Sequence, residues 1–112
     1  MTPDDLRRLC MDLPEVEEKL TWEDHPTFRV RDKIFAILGA GDDASVRLKA
    51  TKEAQAALVG SEPETFSVPA YVGRHGWVRV DLGRVDPEEL RELVVEAWLL
   101  TAPKRLARQL EI

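Results

Sequence analysis

Six residues have the types and spacing of an anion-binding surface: Arg29, Arg31, Arg47, Lys49, Trp77 and Arg79. They fall in or beside segments where apolar and polar residues alternate, which places them together on one side of a sheet. Guanidinium and ammonium groups neutralise phosphates, and an indole can stack on an unpaired base. An ordinary solvated sheet face also alternates polar with apolar residues, so alternation alone decides nothing. The sign favours a binding face: every charge in the set is positive.

Other chemistry-bearing residues are weaker candidates. His25, with Glu23 and Asp24 beside it, and His75 invite a metal or acid–base reading. Zinc sites draw on three or four ligands at recognisable spacing, whereas these histidines stand about fifty positions apart in loops. They read as loop hydrogen-bonders, and no metal is expected. Cys10 lies on an apolar helical stripe with no basic residue to lower its pKa, so it reads as a small buried hydrophobe. Asp4, Asp5, Asp12, Glu15, Glu17 and Glu18 form an acidic patch, explained by solvation and by the positive end of a helix dipole. Lys104, Arg105 and Arg108 are a second basic cluster, explained by solubility and the opposite end of a dipole. Gly39-Ala40-Gly41-Asp42 lacks the lysine and the strand–helix context of a phosphate loop, so it is a turn. With no nucleophile–base pair, carboxylate dyad or cofactor fingerprint, no catalytic residue and no cofactor is expected.

The elements that must position these residues follow from local pattern. Thr2-Pro3-Asp4-Asp5 opens a helix with a capping hydroxyl, a proline and two acids, and Leu6, Leu9, Cys10 and Leu13 give its stripe. Pro14 ends it. Glu15 to Trp22 reads as a strand with Val16, Leu20 and Trp22 sharing a parity. Thr27 to Leu38 reads as a hairpin turning at Arg31-Asp32 or Asp32-Lys33. Either register puts Phe28, Val30, Phe35 and Ile37 on one face, and Arg29 with Ile34, Ala36 and Leu38 on the other. In the next strand Val46, Leu48 and Ala50 point inward, and Arg47 and Lys49 outward. Thr51 caps a short helix through Val59 that Gly60 should end. Phe66 to Val72 is short or irregular strand because of Pro69. In Trp77 to Leu82, Val78, Val80 and Leu82 oppose Trp77, Arg79 and Asp81. Asp86-Pro87-Glu88-Glu89 starts a long helix with Leu90, Leu93, Val94, Ala97 and Trp98 buried, and Pro103 starts a last short one. Helix, strand block and helices in that order indicate α+β: a two-layer domain, an antiparallel sheet of about five strands with N- and C-terminal helices on one face.

A chain of 112 residues suits one domain, 1–112. Its net charge of −5 argues against a bulk polyanion binder, yet residues 29–84 carry +2 while residues 1–28 carry −5. Any surface for an anion therefore comes from the middle of the chain or from the last basic cluster. The single cysteine fits a reducing compartment. No apolar run approaches the ~20 residues needed to cross a bilayer, and the acidic N-terminus does not read as a signal peptide. A cytoplasmic protein with no membrane partner is expected.

Several segments resemble the MmcQ/YjbR family: Asp24-His25-Pro26-Thr27-Phe28-Arg29-Val30, Lys33-Ile34-Phe35-Ala36, Leu48-Lys49, Pro69-Ala70-Tyr71, Gly76-Trp77-Val78 and the Glu89-to-Leu100 helix. The resemblance covers nearly the whole chain in order. It implies a CyaY-like (frataxin-like) fold and DNA binding through a paired-wing motif. One departure is the hairpin turn, where Arg31-Asp32 replaces a glycine-rich segment.

The combined expectation is a non-enzymatic binding module, a monomer or weak homodimer. Its leading function is weak, mostly sequence-independent DNA binding through Arg29, Arg31, Arg47, Lys49, Trp77 and Arg79. A small-molecule or protein-binding adaptor using the same face is the alternative. Frataxin-like metal handling through the acidic first helix is the third reading.

Overall fold

A computed structural model describes residues 1–21 and 24–110. Helix α1 (Pro3–Met11) is capped by Thr2, whose hydroxyl accepts from the Asp5 amide while the Asp5 carboxylate accepts from the Thr2 amide. Six strands follow: β1 (Val16–Thr21), β2 (His25–Val30), β3 (Lys33–Leu38), β4 (Ser45–Leu48), β5 (Phe66–Ser67) and β6 (Val78–Asp81). They form one antiparallel sheet in the order β1-β2-β3-β4-β6-β5. Helix α2 (Lys52–Ser61) lies between β4 and β5, α3 (Pro87–Thr101) after β6, and α4 (Lys104–Ala107) near the end. The architecture is α+β, with one strand more than the pattern suggested. The additional strand is β5, a two-residue pairing with β6 inside the segment read as short or irregular strand.

Helices α1 and α3 supply Leu6, Cys10, Leu90, Val94, Ala97 and Trp98 to the core beside the inner side chains of the sheet. Phe28, Ala36, Leu48 and Val78 line up directly across β2, β3, β4 and β6 on that inner face. The Trp98 indole donates to the carbonyl of Pro14, fastening α3 to the start of β1. Burial drives the Cys10 thiol up to about 12, with the nearby Glu18 charge adding to it, so this cysteine is packing rather than chemistry.

Three expectations need correction. The hairpin parity changes at a β-bulge: Arg29 faces Ile34, but Phe28 faces Ala36, leaving Phe35 without a direct partner. Phe35 and Ala36 both join the core, Leu38 follows inward, and Ile37 turns to the outer face opposite Arg47. The extra residue shifts everything after it by one, which is why strict alternation misplaced Ala36, Ile37 and Leu38. Second, Leu20, which shares the parity of Val16, is 70% exposed near the end of the edge strand β1. Third, Gly60 does not end α2, which continues through Ser61, because Gly60 does not take the left-handed conformation of a helix-ending glycine. Trp22 and Glu23 fall outside the described residues.

The turn between β2 and β3 is Arg31-Asp32, with φ of 51° and 65° and Val30 opposite Lys33. Two left-handed central residues define a type I′ turn, the geometry that matches strand twist. It forms here without glycine. Glu15 clamps it by a bidentate pair with Arg31 at 2.6 and 3.1 Å, which lowers the Glu15 pKa and raises that of Arg31.

Candidate functional site

The outer face of the sheet is organised by one row that crosses every strand. Lys19, Thr27, Ile37, Arg47, Arg79 and Ser67 stand opposite one another in register. Arg47 and Arg79 are thus directly opposed, a like-charge pair that costs stability unless an anion compensates it. Asp43 compensates Arg79, at 3.0 Å, and is itself held by the Ser45 hydroxyl at 2.8 Å. Arg47 has no carboxylate within ion-pair distance among the described residues, and neither has Lys49. Arg29 spends its guanidinium on neutral acceptors, donating to Thr27 Oγ1 at 3.2 Å and Thr21 Oγ1 at 2.7 Å; Glu17 stands opposite it in register, but no carboxylate among the described residues is within ion-pair distance.

The six sequence candidates therefore divide. Arg29 and Arg47 are half-buried cations on the outer side without a carboxylate partner among the described residues; Lys49, also half-buried and without such a partner, lies past the end of β4 and lines a hollow with Leu93, Glu96 and Leu100 of α3. Arg79 is shared with Asp43, and Arg31 lies at the hairpin tip engaged by Glu15. Trp77 is only 9% exposed and offers no open ring face for a base. The acidic patch is also committed elsewhere: Arg7 bridges Asp4 at 2.7 Å and Glu18 at 2.9 Å, while Arg8 lies 3.8 Å from Asp5. Among the described residues, no three His, Cys, Asp or Glu side chains converge as a metal ion would require.

Over the outer face runs the segment from Val68 to Gly76, and it forms a cleft of about 400 Å³ with the sheet. The lining is His25, Ile37, Arg47, Ala70, Tyr71 and Val72. His25 Nδ1 lies 3.1 Å from the Leu38 carbonyl, which can only accept, so the ring donates there and is held at the cleft wall. Ile37 forms the floor because the bulge turned it outward.

Tyr71 is the residue that sequence reading missed. Its φ of 62° and ψ of −68°, with a 2.7 Å hydrogen bond from the Val72 amide to the Ala70 carbonyl, describe a γ-turn of the rare, strained hand. The side chain is 92% exposed at the rim of the cleft. Such a conformation persists only where the surroundings impose it. Here Gln55 of α2 donates to the carbonyls of both Gly73 and Trp77, gripping the segment from behind. Gly76, at φ 95°, lies so near α2 that a β-carbon would come within 2.6 Å of the Ala50 carbonyl oxygen. The sequence signals were a lone tyrosine set between Pro69 and Gly73 and the place of Pro69-Ala70-Tyr71 among the family-like segments, neither of which gave it a role.

A family model described as YjbR matches residues 11–100. That is four-fifths of the chain, from the end of α1 to the end of α3. The chain belongs to the YjbR family. Among relatives, uncharacterised proteins of Mycobacterium tuberculosis and Mycobacterium bovis are each 28% identical over 122 residues, covering 96% of this chain and 93% of theirs. The crystal structure of Deinococcus radiodurans protein DR2400, with a DUF419 family domain, is similar with a TM-score of 0.83 and 27% identity. That alignment covers 99% of this chain and 88% of the Deinococcus protein. Family membership accounts for the fold across β1 to α3. No helix among the described residues is long and apolar enough to cross a membrane.

Proposed function

We propose that this YjbR-family chain is a cytoplasmic, non-enzymatic binding module that holds the phosphates of single-stranded nucleic acid against the outer face of its sheet. The observation that carries the reading is the pair Arg29 and Arg47 on the outer face, with Lys49 just past the end of β4: three cations without a carboxylate partner among the described residues. Phosphates would supply the missing counter-charge, and such contacts position a strand without reading its sequence. Tyr71, fully presented at the cleft rim, takes the stacking role that Trp77 cannot perform. The net charge of −5 opposes association, which places the affinity in the non-specific range of ~10⁻⁴–10⁻⁶ M at physiological salt.

Fluorescence anisotropy with a labelled oligonucleotide, single-stranded and duplex, tests this across a salt series. Binding should weaken with salt, favour the single strand and drop for every sequence alike in an Arg47→Glu/Lys49→Glu variant. Undetectable binding at low salt, or full binding by the double variant, would remove the nucleic-acid reading. The cleft itself supports a second reading, the capture of a small molecule.

A further inference from the structure

The charge inventory of the outer face leaves one group with an unusual environment. Arg47 sits half-buried at the wall of a mainly apolar cleft, opposite a second arginine whose charge Asp43 already neutralises. A guanidinium cannot shed its proton, so partial burial without a counter-anion is a standing electrostatic cost. An anion entering the cleft would relieve it through two parallel hydrogen bonds, a geometry that carboxylate and phosphate share. The rest of the lining specifies what the anion is attached to. Ile37, Ala70 and Val72 are apolar, and Tyr71 and His25 bring two rings. Clefts of roughly 300–1,000 Å³ with apolar walls and a few fixed polar groups are the usual form of small-ligand sites. This one, at about 400 Å³, is at the small end. The rim is also built at a cost: the γ-turn holds Tyr71 outward in a backbone conformation that tyrosine avoids. A strained turn that buries nothing of its own side chain points to a role outside folding.

We infer that the cleft between the Val68–Gly76 segment and strands β2 to β4 binds a small molecule with a flat aromatic ring and one anionic group, the anion on Arg47 and the ring against Tyr71. The shared chemistry is an aryl group joined to a carboxylate or phosphate, supplied either by a free aromatic acid or by a mononucleotide. This goes beyond the nucleic-acid reading and does not require it, since of Arg29, Arg47 and Lys49 only Arg47 lines the cleft.

The test is calorimetric titration of the full chain, with backbone-amide chemical shifts to locate the site. The probes are phenyl phosphate, indole-3-acetate, dAMP, inorganic phosphate and cyclohexanecarboxylate. Phenyl phosphate should bind at least tenfold more tightly than inorganic phosphate, and indole-3-acetate more tightly than cyclohexanecarboxylate, with shifts at His25, Ile37 and Val72. Arg47→Gln should weaken the aromatic anions at least tenfold. Tyr71→Phe should stay within about twofold of wild type, whereas Tyr71→Ala loses fivefold or more. Preference for dAMP over indole-3-acetate would name a nucleotide as the source, and the reverse an aromatic acid; either outcome supports the site. Equal binding of phenyl phosphate and inorganic phosphate, unchanged affinity in Arg47→Gln, or shifts located elsewhere would overturn it. Oligonucleotide binding that survives such a failure would leave the nucleic-acid reading standing alone, and small-anion binding without oligonucleotide binding would do the opposite.

Discussion

Replacing Tyr71 by glycine should stabilise this protein, although it removes the side chain most exposed to a ligand. The conformation at Tyr71, φ 62° and ψ −68°, lies in a sparsely populated region that costs on the order of 1–3 kcal/mol for a residue with a β-carbon. Glycine adopts positive φ freely but surrenders more chain entropy on folding, about 0.5–1 kcal/mol relative to alanine. Little burial is lost, because the tyrosine is 92% exposed. The balance is a gain of roughly 0.5–2 kcal/mol. At about 4–8 °C per kcal/mol for a domain near this size, the melting temperature should rise by a few degrees to about 15 °C. Tyr71→Ala is the control that isolates the strain: it retains the β-carbon and sacrifices only exposed surface, so its stability should stay within about 0.5 kcal/mol of wild type. Urea unfolding of the three proteins at one m-value reads the difference directly. A glycine variant no more stable than the alanine variant would refute the claim that the turn stores strain. In binding assays the order reverses, because both variants lose the ring. A gain in stability joined to a loss of binding is the signature expected of strain kept for function.

Other expectations concern charge and protonation. With Arg29, Arg47 and Lys49 as the contacting cations, log affinity should fall against log salt with a slope of about −2.7 for duplex and about −2 for single strands, and each charge removed should flatten it by about one contact's worth. The Glu89 carboxyl at the start of α3 has its pKa raised by burial and by the neighbouring Glu62, Asp86 and Glu92. The native state therefore favours its protonated form, so stability is lost as pH rises from the ordinary carboxylate range through the raised value. Glu89→Gln should accordingly stabilise the protein at pH 7 and have no stabilising effect at pH 3, as thermal melts at the two pH values would show. Cys10, with its pKa up at about 12, should resist iodoacetamide at neutral pH until urea unfolds the chain; labelling of the native protein at the rate of a free thiol would contradict its buried placement.

Where the sequence was legible, one dominant physical signal was present. The caps at Thr2, Thr51 and Asp86 each accept a hydrogen bond from a first-turn amide, because a hydroxyl or carboxylate before a helical stripe has few better partners. The inner rows Val46/Leu48 and Val78/Val80 lie as alternation requires, because those strands contain no bulge. Legibility failed where a long-range fact overrode a local one. The bulge at Phe35 depends on how β3 must register with β2 and β4 together, which no single strand reveals. That Arg79 is compensated and Arg47 is not depends on Asp43, a loop residue brought 3.0 Å from Arg79 by the turn into β4. Trp77 had the parity of a surface residue, yet it is buried, just after the Val68–Gly76 segment whose end Gln55 grips through the Trp77 carbonyl.

These failures converge on one place. The bulge that upset the parity of β3 is what turns Ile37 outward, and Ile37 is the floor of the cleft. The left-handed tyrosine that no turn preference would select stands at its rim. The cation without a carboxylate partner among the described residues is its polar wall. Local rules hold wherever folding alone decides the residue, and natural chains tend to break them where another demand competes. A bulge, a strained turn and an uncompensated guanidinium on separate elements have no common folding cause: one is sheet register, one backbone torsion, one electrostatics. The ligand proposed for the site they share would supply that common cause, since together they make a preformed cleft with one charge and one ring facing the same volume.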